Sequence, residues 1–303
     1  MLPFLDAGTP IAVAMSALYA LLAIASLSVR IATRKSGPVM LRDQVDAWWC
    51  IFPIVTLALL TYPLGVVALA CFICQLAFLE LAPYYPGTRP MFWSGAGAIV
   101  LATVTCQLWL PDVRPWLPWL LGALTLAQAT LFWYRPAATA LVRLLMTATL
   151  GAMLMLTRFA DLAAASRVGL GWLFYLFVIT ALNDIGQFVA GKLFGRTRLA
   201  PTVSPNKTWQ GFAGGVVVSQ FASLALGTYL DLATPAALMA AGLLLSTGGL
   251  VGDLLFSAAK RYLAIKDFSA LIPGHGGILD RVDSLVITAP LLYLLLSIAI
   301  RIT

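Results

Sequence analysis

The sequence predicts an all-α protein: a polytopic transmembrane bundle of about ten spans with a polar active-site cavity on the cytoplasmic side. Three observations lead to that fold class. Hydrophobic residues make up 61% of the 303-residue chain and charged residues only 10%, against about 25% charged in an ordinary soluble domain, and the mean hydropathy is +0.94. Apolar runs approaching the roughly 20 residues that cross a bilayer recur along the chain. The basic residues gather in alternate loops between those runs.

The spans are expected near residues 10–29, 47–61, 64–81, 93–110, 116–133, 138–156, 170–190, 211–230, 235–252 and 284–301. The opening segment carries Asp6 and no basic stretch, so the first run reads as a retained anchor and not as a cleavable signal peptide. The second run is short, and Pro63 and Gly65 favour a tight turn between it and the third. Through about Leu156 the chain is apolar with few internal charges. Its cysteines, Cys50, Cys71, Cys74 and Cys106, sit inside apolar runs and read as small packing residues. His275 is the only histidine, which excludes a histidine-built zinc site. Polar motifs concentrate after Thr180. The chain is thus one integral membrane domain, 1–303, with residues 1–156 mainly scaffold and 170–303 carrying the chemistry.

Topology follows from the basic residues. With the loop after the first span in the cytoplasm, fifteen of the nineteen lysines and arginines fall on that side, and only Arg114, Arg158, Arg167 and Arg301 on the other. That asymmetry orients ten spans with both termini outside. It puts the polar segments 191–210 and 254–283 together on the cytoplasmic face of a bacterial-type plasma membrane. The net charge of +7 is this orientation signal, and nucleic acid is not expected as a partner.

Three segments carry candidate chemistry. In Gly252-Asp253-Leu-Leu-Phe256-Ser257-Ala-Ala-Lys260-Arg261, a helix would set Asp253, Ser257, Lys260 and Arg261 on one face. An amphipathic helix lying on the membrane surface explains the basic pair but not Asp253, at the end of a long apolar run. Next, Pro273-Gly274-His275-Gly276-Gly277 cannot be helix interior; it reads as a turn whose backbone amides can approach a phosphate, or as a plain connection. Asp280 and Asp283, three apart at the start of the last span, project to nearly the same side. One acid complements a helix N-terminus; two of them with Asp253 call for a cation. Oxygen ligands without usable histidine or cysteine suit Mg²⁺.

The third segment holds Asn183-Asp184-Ile185-Gly186-Gln187 within a span, then Ser204-Pro205-Asn206-Lys207-Thr208-Trp209. Ser204, Lys207 and Thr208 supply hydroxyls and a cation suited to phosphate oxygens. The bland alternative is an ordinary helix start, with Ser204 as N-cap and Pro205 at the first helical position.

The ordered run Ser257-x-x-Lys260-Arg261-x₄-Lys266-Asp267-x₅-Pro273-Gly274-His275-Gly276-Gly277-x-x-Asp280-Arg281-x-Asp283 resembles the signature of the phosphatidate cytidylyltransferases, or CDP-diacylglycerol synthases. The stretch from Ser204 to Gly211 resembles the same family's Ser-Pro-x-Lys-Thr segment. The likeness covers roughly Asn183 to Pro290. It implies that CTP and phosphatidic acid give CDP-diacylglycerol and pyrophosphate. It implies catalytic roles for Asp253, Lys260, Arg261, Lys266, Asp267, Asp280 and Asp283, with Asp253, Asp280 and Asp283 as Mg²⁺ ligands and a second cation as a further expectation. It implies substrate contacts from Asp184, Ser204, Asn206, Lys207, Thr208, His275, Gly276, Gly277 and Arg281. Membrane lipids and a second copy of the chain, as a homodimer, are the other implied partners.

Two departures mark a divergent branch. Phe256 stands where the family has Glu, and Asn183-Asp184-Ile185-Gly186-Gln187 where it has Asp-Thr-Gly-Ala. Two other readings compete. A CTP-dependent polyprenol or lipid kinase shares the inventory of charges, but the Gly-His-Gly-Gly and Asp-Arg-x-Asp details favour nucleotidyl transfer. An ion-coupled transporter needs carboxylates along a path, whereas these gather at one face.

Overall fold

The structure is a computed structural model, described here for residues 4–32, 39–110, 112–161, 166–271 and 276–302. His275 lies outside the described residues. The described chain is helical apart from its connections and one small hairpin. Its helices are α1 (Phe4–Ala32), α2 (Val39–Leu60), α3 (Leu64–Leu81), α4 (Arg89–Trp109), α5 (Leu117–Tyr134), α6 (Ala138–Arg158) and α7 (Ser166–Phe194), then α8 (Trp209–Tyr229), α9 (Pro235–Tyr262) and α10 (Leu279–Ile302). Among the described residues, eight helices are long and apolar enough to cross a membrane, and α2 adds a shorter apolar stretch, Val45–Leu60. This is an all-α polytopic membrane bundle, and the protein is an integral membrane protein.

Burial sorts the helices. Of the apolar window in α6, 78% is buried, against 17% in α1 and in α4, so α6 is a central post and the other two are peripheral. Helix α6 packs on α3, α5 and α10. Exposed Leu101, Trp109, Trp133 and Phe221 form an outer surface that only lipid can solvate.

Among the described residues, helices α7 and α8 make the most extensive contact. Its cause is a four-residue repeat of small residues on α8: Gly211, Gly215, Ser219, Ser223 and Gly227 are its buried positions. Small side chains let helix backbones approach where no water is present to drive association. A Cβ on Gly215 would overlap Gln187 Cγ and crowd Asn183 Oδ1.

Two of the alternative local readings are set aside. The stretch from Asp253 to Arg261 does not form a separate surface helix. Helix α9 runs unbroken from Pro235 to Tyr262, about 42 Å at the usual rise and so longer than the bilayer core; its last turns carry the polar residues beyond the apolar layer. The helix start suggested at Ser204 is instead a strand. β1 (Arg198–Ala200) and β2 (Ser204–Thr208) form an antiparallel hairpin, and α8 is capped by Thr208, whose side chain accepts from Gly211 N at 3.0 Å. Gln210 Oε1 accepts from the amides of Arg196 and Thr197 at 3.1 and 3.2 Å, fixing the hairpin to the start of α8.

Candidate active site

The site forms where the polar ends of α7, α9 and α10 meet the hairpin. Beneath it, Asn183 is fully buried. Its Oδ1 accepts from Ser246 Oγ at 2.6 Å and Ser219 Oγ at 3.3 Å, joining α9 and α8 to α7. Its Nδ2 donates to Asp184 Oδ1 at 3.5 Å. A Cβ on Gly249 would stand 3.0 Å from that Nδ2, so a larger residue there would crowd the junction. Buried polar atoms need partners, and this knot of three helices supplies them while holding Asp184 at its edge.

Above the knot, Lys207 reaches in from β2. Its ammonium contacts Asp253 Oδ2 directly and donates to Gln187 Oε1 at 3.4 Å. Asp253 Oδ1 accepts from Ser257 Oγ one turn along α9, at 3.3 Å. Asp184 also accepts from Ser284 Oγ at 3.4 Å and lies in the electrostatic reach of Lys207, Asp253 and Arg281. Asp283 is buried, accepts from Ser284 N at 2.8 Å, and feels the charges of Asp253, Asp184 and Lys260. Lys207 thus stands by Asp253 and Asp184, and Asp283 adds a third carboxylate, from a third helix, close enough to interact with both acids.

Asp280 sits differently. Its Oδ1 accepts from Lys260 Nζ at 2.6 Å, and its Oδ2 accepts the amides of Phe268 at 3.0 Å and Gly277 at 2.9 Å. Both oxygens are thus engaged with the chain itself. The carboxylate grouped with Asp253 and Asp283 is Asp184, while Asp280 ties the base of the glycine-rich loop. The structure also separates Lys260 from its neighbour. Lys260 is buried on Asp280, whereas Arg261 is exposed and donates to the carbonyls of Val203 at 3.3 Å and Ile265 at 3.1 Å, clipping the hairpin turn to the end of α9.

The other predicted site residues fall around this centre. Lys266, Asp267 and Arg281 are exposed, as is Asn206 on β2, while Ser204 and Thr208 are half-buried. Gly276 adopts φ +78°, a left-handed conformation that costs glycine little, and Gly277 is buried beside it. Phe256, in place of the family's Glu, is 2% exposed and packs edge-on against Phe268 with ring centroids 6.2 Å apart.

One buried carboxylate at the edge of this site lies outside the motifs. Glu80, the only charged residue in α3, is 7% exposed and accepts from Ser269 Oγ at 2.6 Å and from the amides of Ile278 and Leu279 at 2.7 and 3.0 Å. The signal for it was its solitude: an ionisable group inside a membrane helix is expensive, which makes it a candidate for a role.

Among the described residues, no three carboxylate, histidine or cysteine side chains converge tightly enough to chelate a metal ion. Asp184, Asp253 and Asp283 form a looser oxygen-only arrangement. That fits Mg²⁺, which keeps much of its water shell and binds through one or two carboxylates plus substrate phosphates.

Bundle and site together define an integral membrane protein with a carboxylate-and-lysine centre at one end of its helices. The chain belongs to the cytidylyltransferase family, whose model matches residues 43–299. It is similar to the phosphatidate cytidylyltransferase of Staphylococcus aureus (strain COL), 43% identical over 129 residues, which is 42% of this chain and 50% of that protein. It is also similar to that of Bacillus subtilis (strain 168), 40% identical over 141 residues, 46% of this chain and 52% of that protein. The uncharacterized protein YnbB of Escherichia coli (strain K12) is 44% identical over 119 residues, 39% of this chain and 40% of that protein. The chain spans about half the length of the curated relatives it matches.

Proposed function

We propose that the protein is a membrane-embedded phosphatidate cytidylyltransferase that converts phosphatidic acid and CTP into CDP-diacylglycerol and pyrophosphate. The observation that carries this reading is Lys207, held between Gln187 and Asp253 beside the carboxylate of Asp184, with Asp283 next to both acids. Transfer at phosphorus needs positioning and charge neutralisation more than a protein nucleophile. The phosphate oxygen of phosphatidic acid attacks the α-phosphorus of CTP. The bond from that phosphorus to the β-bridging oxygen breaks, and pyrophosphate leaves with the electron pair.

Lys207, released from Asp253 when the polyphosphate arrives, is the cation placed to meet its oxygens, with exposed Arg281 and Lys266 at the rim. Lys260 stays on Asp280 and holds α9 to α10. The Phe268 and Gly277 amides are consumed by Asp280, which leaves phosphate contacts to side chains and to the rest of the glycine-rich segment. Asp253 and Asp283, with Asp184, would hold Mg²⁺, which would supply charge neutralisation for the phosphates. The excess of lysine and arginine in alternate loops supports a plasma-membrane protein with its site facing the cytoplasm, where CTP is found. The homodimer rests on family resemblance alone and is checked by molar mass in detergent.

Radiolabelled CTP, phosphatidic acid and Mg²⁺ with the purified protein test the function. A labelled CDP-lipid is the expected product. A phosphorylated alcohol from a polyprenol mixture, or no turnover with any lipid alongside ion flux in liposomes, would overturn the reading.

A further inference from the structure

The loop between α9 and α10 is closed at its base by two carboxylates that come from opposite directions. Asp280, within the loop's own exit helix, bonds the amides of Phe268 and Gly277. Glu80, from the end of α3 nearly 200 residues away, bonds Ser269 Oγ and the amides of Ile278 and Leu279. Each carboxylate thus joins the residue pair 268–269 to the residues 277–279.

Neither bond is incidental. Helix α10 begins at Leu279, and Ile278 before it has no side-chain oxygen to satisfy the helix's first amides. Glu80 supplies that acceptor, and its charge is favourable at a helix N-terminus. Room for it exists only because residue 277 is glycine: a Cβ there would lie 2.6 Å from both Glu80 carboxylate oxygens. Likewise a Cβ on Gly276 would lie 2.9 Å from Asp280 Oδ2. Tyr84, one turn beyond Glu80, adds a bond from its hydroxyl to the Phe268 carbonyl at 3.0 Å. The Glu80 carboxylate accepts from one hydroxyl and two backbone amides, and these donors offset the cost of burying it.

We infer that Glu80 is a positioning residue for the active site: it acts through the loop base to hold Asp280 on Lys260, and the ends of α9 and α10 in register. Glu80 touches no reacting atom. It makes the apolar half of the chain a participant in the chemistry of the other half. The role in turnover rests on the function proposed above; the loop geometry does not.

The test compares full-length wild type, Glu80→Gln and Glu80→Ala in nanodiscs by hydrogen exchange, thermal midpoint and steady-state turnover. In Glu80→Ala, amide exchange should rise about tenfold or more in peptides covering Ser269 and 276–281, and remain unchanged in the interiors of α3 and α10. With CTP and phosphatidic acid, kcat should fall by about tenfold or more while KM for the lipid holds. Glu80→Gln, which keeps one acceptor oxygen, should recover part of both losses. Unchanged exchange at 276–281 overturns the inference. So does a general rise across α3 and α10 with a collapsed thermal midpoint, which would mark Glu80 as a packing residue only. A wild type without cytidylyltransferase turnover but with the expected local exchange pattern would reject the function and leave the loop-base role standing.

Discussion

Lys260 Nζ donates to Asp280 Oδ1 at 2.6 Å with both side chains nearly buried, 11% and 3% exposed. That bond fastens the last turns of α9 to the first turn of α10, and Phe268, which lies under the ammonium at 5.9 Å from the ring centroid, fastens the loop between them. A buried pair of this kind is costly to break from one side, because the remaining charge stays desolvated.

Asp280→Asn should therefore reduce turnover by at least about 100-fold, since the Lys260 ammonium loses its counter-charge and the loop base shifts. The protein should still reach the membrane. Initial rates of CDP-lipid formation, normalised to monodisperse protein, check this. Wild-type rates would remove Asp280 from the site.

Asp253→Asn leaves Lys207 without its carboxylate and removes one proposed Mg²⁺ ligand. Turnover should fall by about 10²–10³-fold, the usual scale for losing one preorganised electrostatic group, and the Mg²⁺ concentration for half-maximal rate should rise. Chelation by EDTA should abolish wild-type turnover, and added Mg²⁺ should restore it. Activity that survives EDTA would reject the metal proposal.

Asn183→Leu should destabilise the protein by about 1–2 kcal/mol, the range for interhelical hydrogen bonds in membranes. The hydroxyls of Ser219 and Ser246 lose a shared acceptor. Turnover should drop as well, because Asp184 loses its Asn183 contact. Thermal unfolding in detergent and the rate assay measure the two effects separately.

At the opposite end of the bundle, Asp161 pairs with Arg158 at 3.1 Å and with Arg114 at 3.3 Å, and Arg158 is 6% exposed. Asp161→Ala should cost about 1–3 kcal/mol, less than a fully buried pair because Asp161 itself is partly exposed. Turnover per folded molecule should stay near wild type. A large catalytic defect without lost stability would show that this end of the bundle is coupled to the site.

The helices themselves were legible wherever the apolar run was long. The third span was expected at 64–81 and is observed at Leu64–Leu81; the turn at Pro63 falls where Pro63 and Gly65 put it. The ninth was expected to stop at 252 and instead runs to Tyr262. Hydropathy ends at the first charge, but a helical backbone continues if its charged side chains find partners, as Asp253 does with Lys207 and Lys260 does with Asp280. The eighth span was expected at 211–230 and is observed at Trp209–Tyr229; of the two readings of Ser204-Pro205, the helix start gives way to the pairing of β2 with β1.

What the sequence by itself determined was the class of molecule, its membrane-spanning segments, and the residue types at the site: carboxylates, lysines and a glycine-rich turn in a family-like order. Those follow from composition, run length and local spacing, each of which is a property of neighbours along the chain. Only the tertiary structure decided which carboxylate stands with which. It set Asp184 beside Asp253 and Asp283, engaged Asp280 with Lys260 and the loop, and brought Glu80 from α3 to the start of α10. These pairings are settled by which helices pack together and how closely, which the small residues of α8 and the glycines at 249, 276 and 277 permit. Contacts between groups up to 200 residues apart leave no period or spacing in the chain to read.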